Sequence, residues 1–493
     1  MRYLVGLLIL TLGFMPLANS QSITSEHSFT VRKYSIFEQG FPFGVVRGHK
    51  GTFTFLEYYI KDVNKRRATN WYLQNFSTST HQENWFKSVT TEGFDPIEIE
   101  KLMRMDKGYV VTGYKYNDEL KRNDAVARFF RGDGKPLSSE VTVLSKYDKK
   151  AKKGFEDTFT MSPSGAALLW MGTDGVRYMF SAWDAMGKEI WGQELELPYV
   201  VDKYEVTDVV VEDKGKPIML LESTKRTGTA KDTLFPPIIA RYSYKAEKFV
   251  QDTLNFDSLY LVNGHLKMLE NGNVAVVGVL SNDSPEGIMN GGKRGESQIL
   301  THIFMKRYEL TTEITEAAGS INPIPEDWKE KYKSPAKDGK GEKGSNFGPE
   351  MVLADDWNLV FLMEEHYTSK DKFYYYDIGA VGFNLQSGKM DWSHLIEKKQ
   401  RDRSGVFLSF TPGIARRRLN LVYLTERGAR GKMVCSKVDL KTGKLSMKDI
   451  ESNEDASYLF FPKNSGMVSE TEMVLIGMGD PSSNDYKIMT ITF

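Results

Sequence analysis

Eight short apolar runs recur along this chain at a nearly constant interval, and no other feature narrows the possible folds as far. The runs are 52–56 (TFTFL), 109–113 (YVVTG), 166–170 (AALLW), 217–221 (PIMLL), 274–278 (VAVVG), 359–362 (LVFL), 421–424 (LVYL) and 473–477 (MVLIG). Short runs of this kind, bounded by Gly and Asn turns, read as buried strands. With Phe55, Val111, Leu168, Leu220, Val276, Val360, Val422 and Leu475 as anchors, successive steps are 56, 57, 52, 56, 84, 62 and 53 residues. The long step contains 317–349, rich in Lys, Gly, Pro and Ser, which reads as a surface insertion. The remaining interval, about 55 residues, suits propeller blades and exceeds the roughly 20–45 residues of solenoid repeats.

Each period divides into four strands; in the second they are 97–105, 108–116, 125–131 and 137–144. The last period holds only three, 458–462, 472–479 and 485–493. At the other end, 28–36 (SFTVRKYSI) alternates and belongs to no period. The economical arrangement lets this N-terminal strand complete the last blade, which pairs the sheet edges that an open ring would expose. The expected fold is all-β: a single β-propeller of four-stranded antiparallel blades spanning 21–493, eight-bladed with seven as the alternative. No segment carries a long 3.6-residue apolar period, and 146–153 is too short to stand as a helix alone.

One hairpin signature returns three times. Asp184, Gly187, Lys188 and Trp191 form the first copy. Asn384, Ser387, Gly388, Lys389 and Trp392 form the second. Asp439, Thr442, Gly443 and Lys444 form the third, where Met447 stands in place of the Trp, and Asp133-Gly134-Lys135 is a clipped version. Physically, Gly takes the positive-φ position of the turn, Asp or Asn bonds the turn's backbone, and Trp packs between neighbouring blades. These hairpins resemble PQQ-like repeats, whose pattern is an Asp, a Thr/Ser-Gly-Lys turn and a Trp on the following strand. The resemblance covers three or four of the eight blades, implies a propeller and says little about function. Within that family the quinone-dependent alcohol dehydrogenases carry an adjacent cysteine pair, for which Cys435 alone offers no counterpart. The chain is also longer than the periplasmic scaffold lipoproteins of outer-membrane protein assembly and lacks their lipidated Cys. It is more similar to exported propellers of Bacteroidetes-like bacteria with no assigned activity.

Residues 1–20 read as a cleaved signal peptide: Arg2, an apolar stretch over 3–17, then Ala18-Asn19-Ser20 before Gln21. A periplasmic or extracellular location follows, and with one cysteine the protein is held by its core rather than by internal disulfides. No later stretch approaches the roughly 18 apolar residues of a membrane span. Lys+Arg and Asp+Glu each number 65, so overall charge gives no argument for a nucleic-acid partner.

Chain order sorts the loops of a propeller. Those joining second to third strands, and fourth to the next first, share one face. There the sequence places its long connections, 225–236, 281–298, 317–349 and 365–373, while tight turns such as 106–108, 132–134, 271–272 and 441–443 fall on the other. The long-loop face carries Arg66, Arg67, Arg122, Arg226, Arg294, His366, Arg401, Arg403 and Arg430, with acidic residues interspersed. Long loops on a rigid scaffold are where binding concentrates. The expectation is a basic surface for an anionic glycan or an acidic envelope protein, set against a solvated rim of mixed charge. No metal-ligating histidine pattern, nucleophile elbow, dinucleotide or phosphate-binding signature is present. No cofactor or metal is implied and a monomer is expected. Two functional readings remain: a non-catalytic binding or scaffold propeller, and a carbohydrate-active lyase or hydrolase with carboxylates or His residues at the axial end of the long-loop face.

Overall fold

The eight apolar runs are the second strands of eight antiparallel sheets arranged in a ring. The computed structural model describes residues 23–30, 39–62, 67–89, 98–138, 142–145, 156–173, 178–195, 204–223, 235–243, 248–282, 300–328, 346–347, 351–369, 372–403, 405, 407–425, 432–450, 459–478 and 485–493. The signal-peptide stretch and 146–153 lie outside them.

Blade 1 comprises Gln39–Arg47, Thr52–Asp62, Arg67–Ser77 and Glu83–Ser88. Blade 2 is Glu98–Met105, Gly108–Asn117, Arg122–Arg131 and Thr142–Val143, and blade 3 is Glu156–Met161, Ala167–Thr173, Tyr178–Asp184 and Glu189–Leu195. Blade 4 is Tyr204–Val211, Pro217–Ser223, Ile238–Ser243 and Lys248–Thr253; blade 5 is Tyr260–Met268, Val274–Ser281, His302–Leu310 and Ile314–Pro323. Blade 6 is built on Met351–Ala354, Asn358–Ser369, Lys372–Asn384 and Met390–Ile396, and blade 7 on Thr411–Ala415, Arg418–Leu424, Met433–Asp439 and Leu445–Asp449. Blade 8 combines Leu459–Phe460, Glu472–Met478 and Asp485–Thr492 with a fourth strand from the other end of the chain, Ile23–Thr30. The closing strand thus starts earlier than the expected 28–36, of which 31–36 fall outside the described residues.

The second strands are apolar without alternation because both their faces are covered. Val274–Ser281 is buried at every position, as are Ile218, Met219, Leu220 and Leu221 in blade 4. The core consists of clusters shared by adjacent blades: Leu169 and Phe180 of blade 3 pack with Met219 and Tyr242 of blade 4. Ile218 and Leu220 in turn pack with Val276 and Phe304 of blade 5. One such cluster joins blades 7, 8 and 1, from Val422 through Leu475 to Phe53 and Phe55, and so seals the ring. There His81 Nε2 lies 2.8 Å from Thr490 Oγ1, both buried.

The repeated hairpins share one geometry. The Asp184 carboxylate accepts from the N–H groups of Met186 and Lys188 at 2.8 and 2.9 Å, and Gly187 sits at φ +73°. Asn384 and Asp439 accept from their turns in the same way, with Gly388 at +74° and Gly443 at +68°. Each Trp that follows clips onto the next blade. Trp191 Nε1 donates to Gly215 O at 2.8 Å and Trp392 Nε1 to Leu440 O at 3.0 Å.

The expected insertion at 317–349 begins later than its composition suggested. Residues 314–323 form the outer strand of blade 5, paired with His302–Leu310, and Trp328 is buried against blade 6 over Gly379. The small residues at 317–319 are still strand, because the ladder to the neighbouring strand outweighs their low strand preference.

Candidate functional site

Of the expected basic residues, Arg66, Arg226, Arg294 and Arg430 lie outside the described residues, and of Arg67 only the backbone, at the start of a strand, is described. Arg122 does not present a free cation. Its Nε lies 2.8 Å from Asp124 Oδ1 with both side chains about a tenth exposed, so the pair neutralises itself. Of the segment 365–373, the described residues 365–369 and 372–373 are strand rather than loop: the second and third strands of blade 6 continue through them past the blade on the long-loop face.

This extension widens the blade 6 sheet to six strands. A register break between Glu364 and His366 separates it from the blade below. Asn346–Phe347 pairs along one side of the hairpin and Gln400–Asp402 along the other. His366 sits in this sheet opposite Tyr375, with their rings 5.7 Å apart, and its Nδ1 has no hydrogen-bond partner among the described residues.

Beneath the extension lies a buried polar network. Lys398 Nζ stands 2.6 Å from Glu364 Oε1, with both side chains 0% exposed. Burial pulls the Lys398 pKa below its ordinary value, and Glu364 works in the opposite direction. The other Glu364 oxygen accepts from Ser409 Oγ at 2.6 Å. Gln400 uses both ends of its amide. Oε1 accepts from Ser409 N at 2.8 Å and from Lys398 Nζ at 3.1 Å, while Nε2 donates to Leu424 O at 2.6 Å. Ser409 is held at φ +92°, a conformation that costs a non-glycine residue energy and persists where surrounding bonds enforce it. The Tyr375 ring lies between two cations, Lys398 at 5.7 Å and Lys463 at 5.1 Å from its centroid.

The consequence is an extended ribbon with an unusual pattern. Over 397–403 (EKKQRDR) burial alternates strictly: Lys398, Gln400 and Asp402 point in, while Lys399, Arg401 and Arg403 are exposed. The inward face of a strand is usually apolar; here it is polar and tied down by the network, and Asp402 accepts from the Arg403 N–H. None of the three outward cations has a carboxylate partner among the described residues. Arg401 lies on the short strand Gln400–Asp402, and Lys399 and Arg403 flank its two ends.

A second polar group lies on the ring axis. The inner strands of blades 3 to 6 enclose a cavity of about 430 Å³ lined by Thr160, Asp208, His265, Lys267 and Asp355, among others. Its lining includes Pro163, Leu269, Glu270 and Asp355, which belong to tight turns between first and second strands, so it opens on the tight-turn face. The axial carboxylate and imidazole of this cavity, Asp208 and His265, thus lie toward the tight-turn face rather than at the long-loop end. Register breaks in the inner strands, between Val206 and Asp208 and between Leu261 and Asn263, locally twist these strands where the polar residues cluster.

Among the described residues foreseen in the sequence, His366, Arg401 and Arg403 share one region, in and beside the blade 6 extension. Lys398, Gln400 and Ser409 were not foreseen. The one local signal for them is the alternation of 397–403 itself. Asp208 comes from blade 4 and His265 and Lys267 from one strand of blade 5, and the three carry no common motif. Among the described residues no group of three His, Cys, Asp or Glu side chains is arranged to hold a metal ion, and no helix is long and apolar enough to cross a membrane.

These features define an eight-bladed β-propeller. No family model and no curated protein sequence matches the chain. Solved structures similar to it include the polysaccharide lyase Uly1 at 10% identity, covering 91% of this chain and 89% of that one with a TM-score of 0.44. A europium-containing methanol dehydrogenase aligns at 12% identity over 92% of both chains with a TM-score of 0.41. A protein of unknown function from Dyadobacter fermentans aligns at 9% identity over 96% of this chain and 100% of that one, with a TM-score of 0.32. At such identities the likeness concerns the fold alone, and the PQQ-like repeat remains a resemblance carried by the hairpins.

Proposed function

We propose that this protein is an exported binding propeller of the bacterial cell envelope, without chemistry of its own, that holds an anionic polysaccharide along the 397–403 ribbon. The observation that carries this reading is the alternation itself: a buried polar network fixes one face of the ribbon and leaves Lys399, Arg401 and Arg403 exposed on the other. Three exposed cations at alternate positions along one segment suit an extended polyanion better than a compact acidic patch on a protein. The signal peptide read in the sequence supports export to where such polymers occur.

The test is retention of the mature chain, residues 21–493, on immobilised dextran sulfate with neutral dextran as control. Retention should weaken as salt rises, because exposed charges are screened over about 10 Å at 0.1 M ionic strength. The triple variant Lys399→Glu, Arg401→Glu, Arg403→Glu should abolish it. Salt-independent retention, or equal retention of the triple variant, would remove this reading and leave the ribbon as a solvated rim.

A further inference from the structure

We infer that the two hairpin turns of blade 7 form a second, separate binding site, one for a phosphate monoester. The first observation is an uncompensated cluster of cations. Arg416 and Arg417 turn the chain between the first two strands of blade 7, and 440–444 turn it between the last two, both on the tight-turn face. Leu440 N donates to Arg417 O at 3.0 Å and pins one turn against the other. Arg416, Arg417, Arg418, Lys441 and Lys444 are exposed there, and Lys437 lies half-buried beside them. Among the described residues none of these six cations forms an ion pair. The carboxylate within the cluster, Asp439, is committed to its own turn: Oδ1 accepts from Lys441 N, Thr442 N and Thr442 Oγ1 at 3.2, 2.9 and 2.9 Å. Its single charge against the six cations leaves an excess of five positive charges.

The second observation is an ammonium that passes over an available acceptor. Strand register sets Lys437 opposite Asn420 and Arg418 opposite Asp439, so these four side chains share one face of the blade. Asn420 is buried, and its Oδ1 takes no hydrogen bond among the described residues. Lys437 leaves it unused and extends over the Phe493 ring of blade 8, with Nζ 5.6 Å from the centroid. Its donors thus stand at the seam between blades 7 and 8 without a protein acceptor among the described residues. Burial lowers the Lys437 pKa, ionisation of Cys435 would oppose this, and the like charges of Arg418, Lys448 and Arg416 lower it further. An ammonium kept among cations is stabilised by a bound anion.

The third observation is the turn that carries the arginines. Ala415 pairs with Arg418, so Arg416 and Arg417 are a two-residue hairpin loop, and both hold positive φ, +48° and +59°. This is the type I′ geometry for which Asn-Gly is the favoured pair. Two arginines in it cost stability, and strain of this kind collects where a ligand is held. The chemistry of the cluster selects the ligand. Arginine forks match the oxygens of a tetrahedral oxyanion in pairs, and a large excess of positive charge favours a dianion over a monoanion. A phosphate monoester meets both conditions, with three acceptor oxygens and close to two charges at neutral pH. A sulfate ester has the same shape but carries one charge, and a carboxylate is planar and carries one.

This inference is independent of the ribbon on the opposite face. The test is isothermal titration calorimetry of the 21–493 chain with glucose 6-phosphate, glucose 6-sulfate and glucose at pH 8. The phosphate ester should bind, the sulfate ester about tenfold more weakly or less, and glucose not at all. Lys437→Met should weaken the phosphate ester by about tenfold. The double variant Arg416→Asn, Arg417→Gly should lose binding while its Tm rises, because it exchanges two strained cations for the favoured turn pair. Lost binding with a raised Tm cannot come from misfolding. The triple ribbon variant should bind the phosphate ester as the wild type does. Phosphatidylcholine vesicles with and without phosphatidic acid separate two sources of the same chemistry. Sedimentation with the phosphatidic acid vesicles alone means that a lipid headgroup reaches the rim, and binding of the soluble ester alone means a free phosphorylated metabolite. Binding of neither form, equal binding of the sulfate ester, or affinity unchanged in both variants would overturn the inference.

Discussion

Replacing Lys398 by Met isolates the energetic logic of the blade 6 network. The substitution keeps the side-chain length, so no large cavity forms, but it leaves Glu364 at 0% exposure with only the Ser409 hydroxyl as a direct partner. Removing one member of a buried ion pair costs about 3–5 kcal/mol, because the remaining charge stays desolvated. Unfolding entropy of about 2.1 cal/mol/K per residue amounts to roughly 1 kcal/mol/K for a chain of this size, so the loss should appear as a fall of about 3–5 °C in Tm by calorimetry. The double variant Glu364→Gln, Lys398→Met should recover most of the loss, since paired removal of a buried ion pair is often near neutral. A single variant within about 1 °C of wild type, or a double variant as unstable as the single, would refute the reasoning.

Two further outcomes follow from the core. Cys435 is fully buried and its thiol is pushed up to about 12, so iodoacetamide at pH 8 should leave the native protein unlabelled and label it only in denaturant. Its contribution to stability is present below the thiol's ordinary pKa near 9 and is lost as pH rises from there toward 12, and Cys435→Ala should flatten that alkaline decline. At Gly382 an added methyl would run into the Trp392 indole, so Gly382→Ala should cost about 1–3 kcal/mol and shift the tryptophan emission; an unchanged Tm and spectrum would show that Trp392 can move aside.

The ring was readable because second strands are the one place where a propeller buries both faces of a strand, and unbroken apolar runs such as 274–278 follow from that. The inner strands were harder to read, since one edge borders the channel and bulges interrupt their alternation at Thr207 and Val262. The segment 365–373 read as a loop because polar and charged residues predominate there. Its described residues become strand through pairings such as His366 with Tyr375, and the burial of the adjoining Glu364 depends on a lysine 34 positions further on. Arg122 and Asp124 stand two apart on a strand that begins at Arg122 rather than at 125, so they share a face, and the pairing became visible only with that earlier strand start. Nothing local announces the Asp208–His265 approach, which exists only because blades 4 and 5 turn the same edge toward the axis.

The pairing of Ile23 with Ile491 also sets a clock. The first strand to be made must wait for the last, and at synthesis rates of about 5–20 residues per second the wait is roughly 20–90 s. Throughout it the newborn chain carries a strand with nothing to pair against, a standing invitation to join a neighbouring chain. The segment that waits reads ITSEHSFT, mostly polar and charged, a composition that keeps a lone strand soluble until its partner arrives.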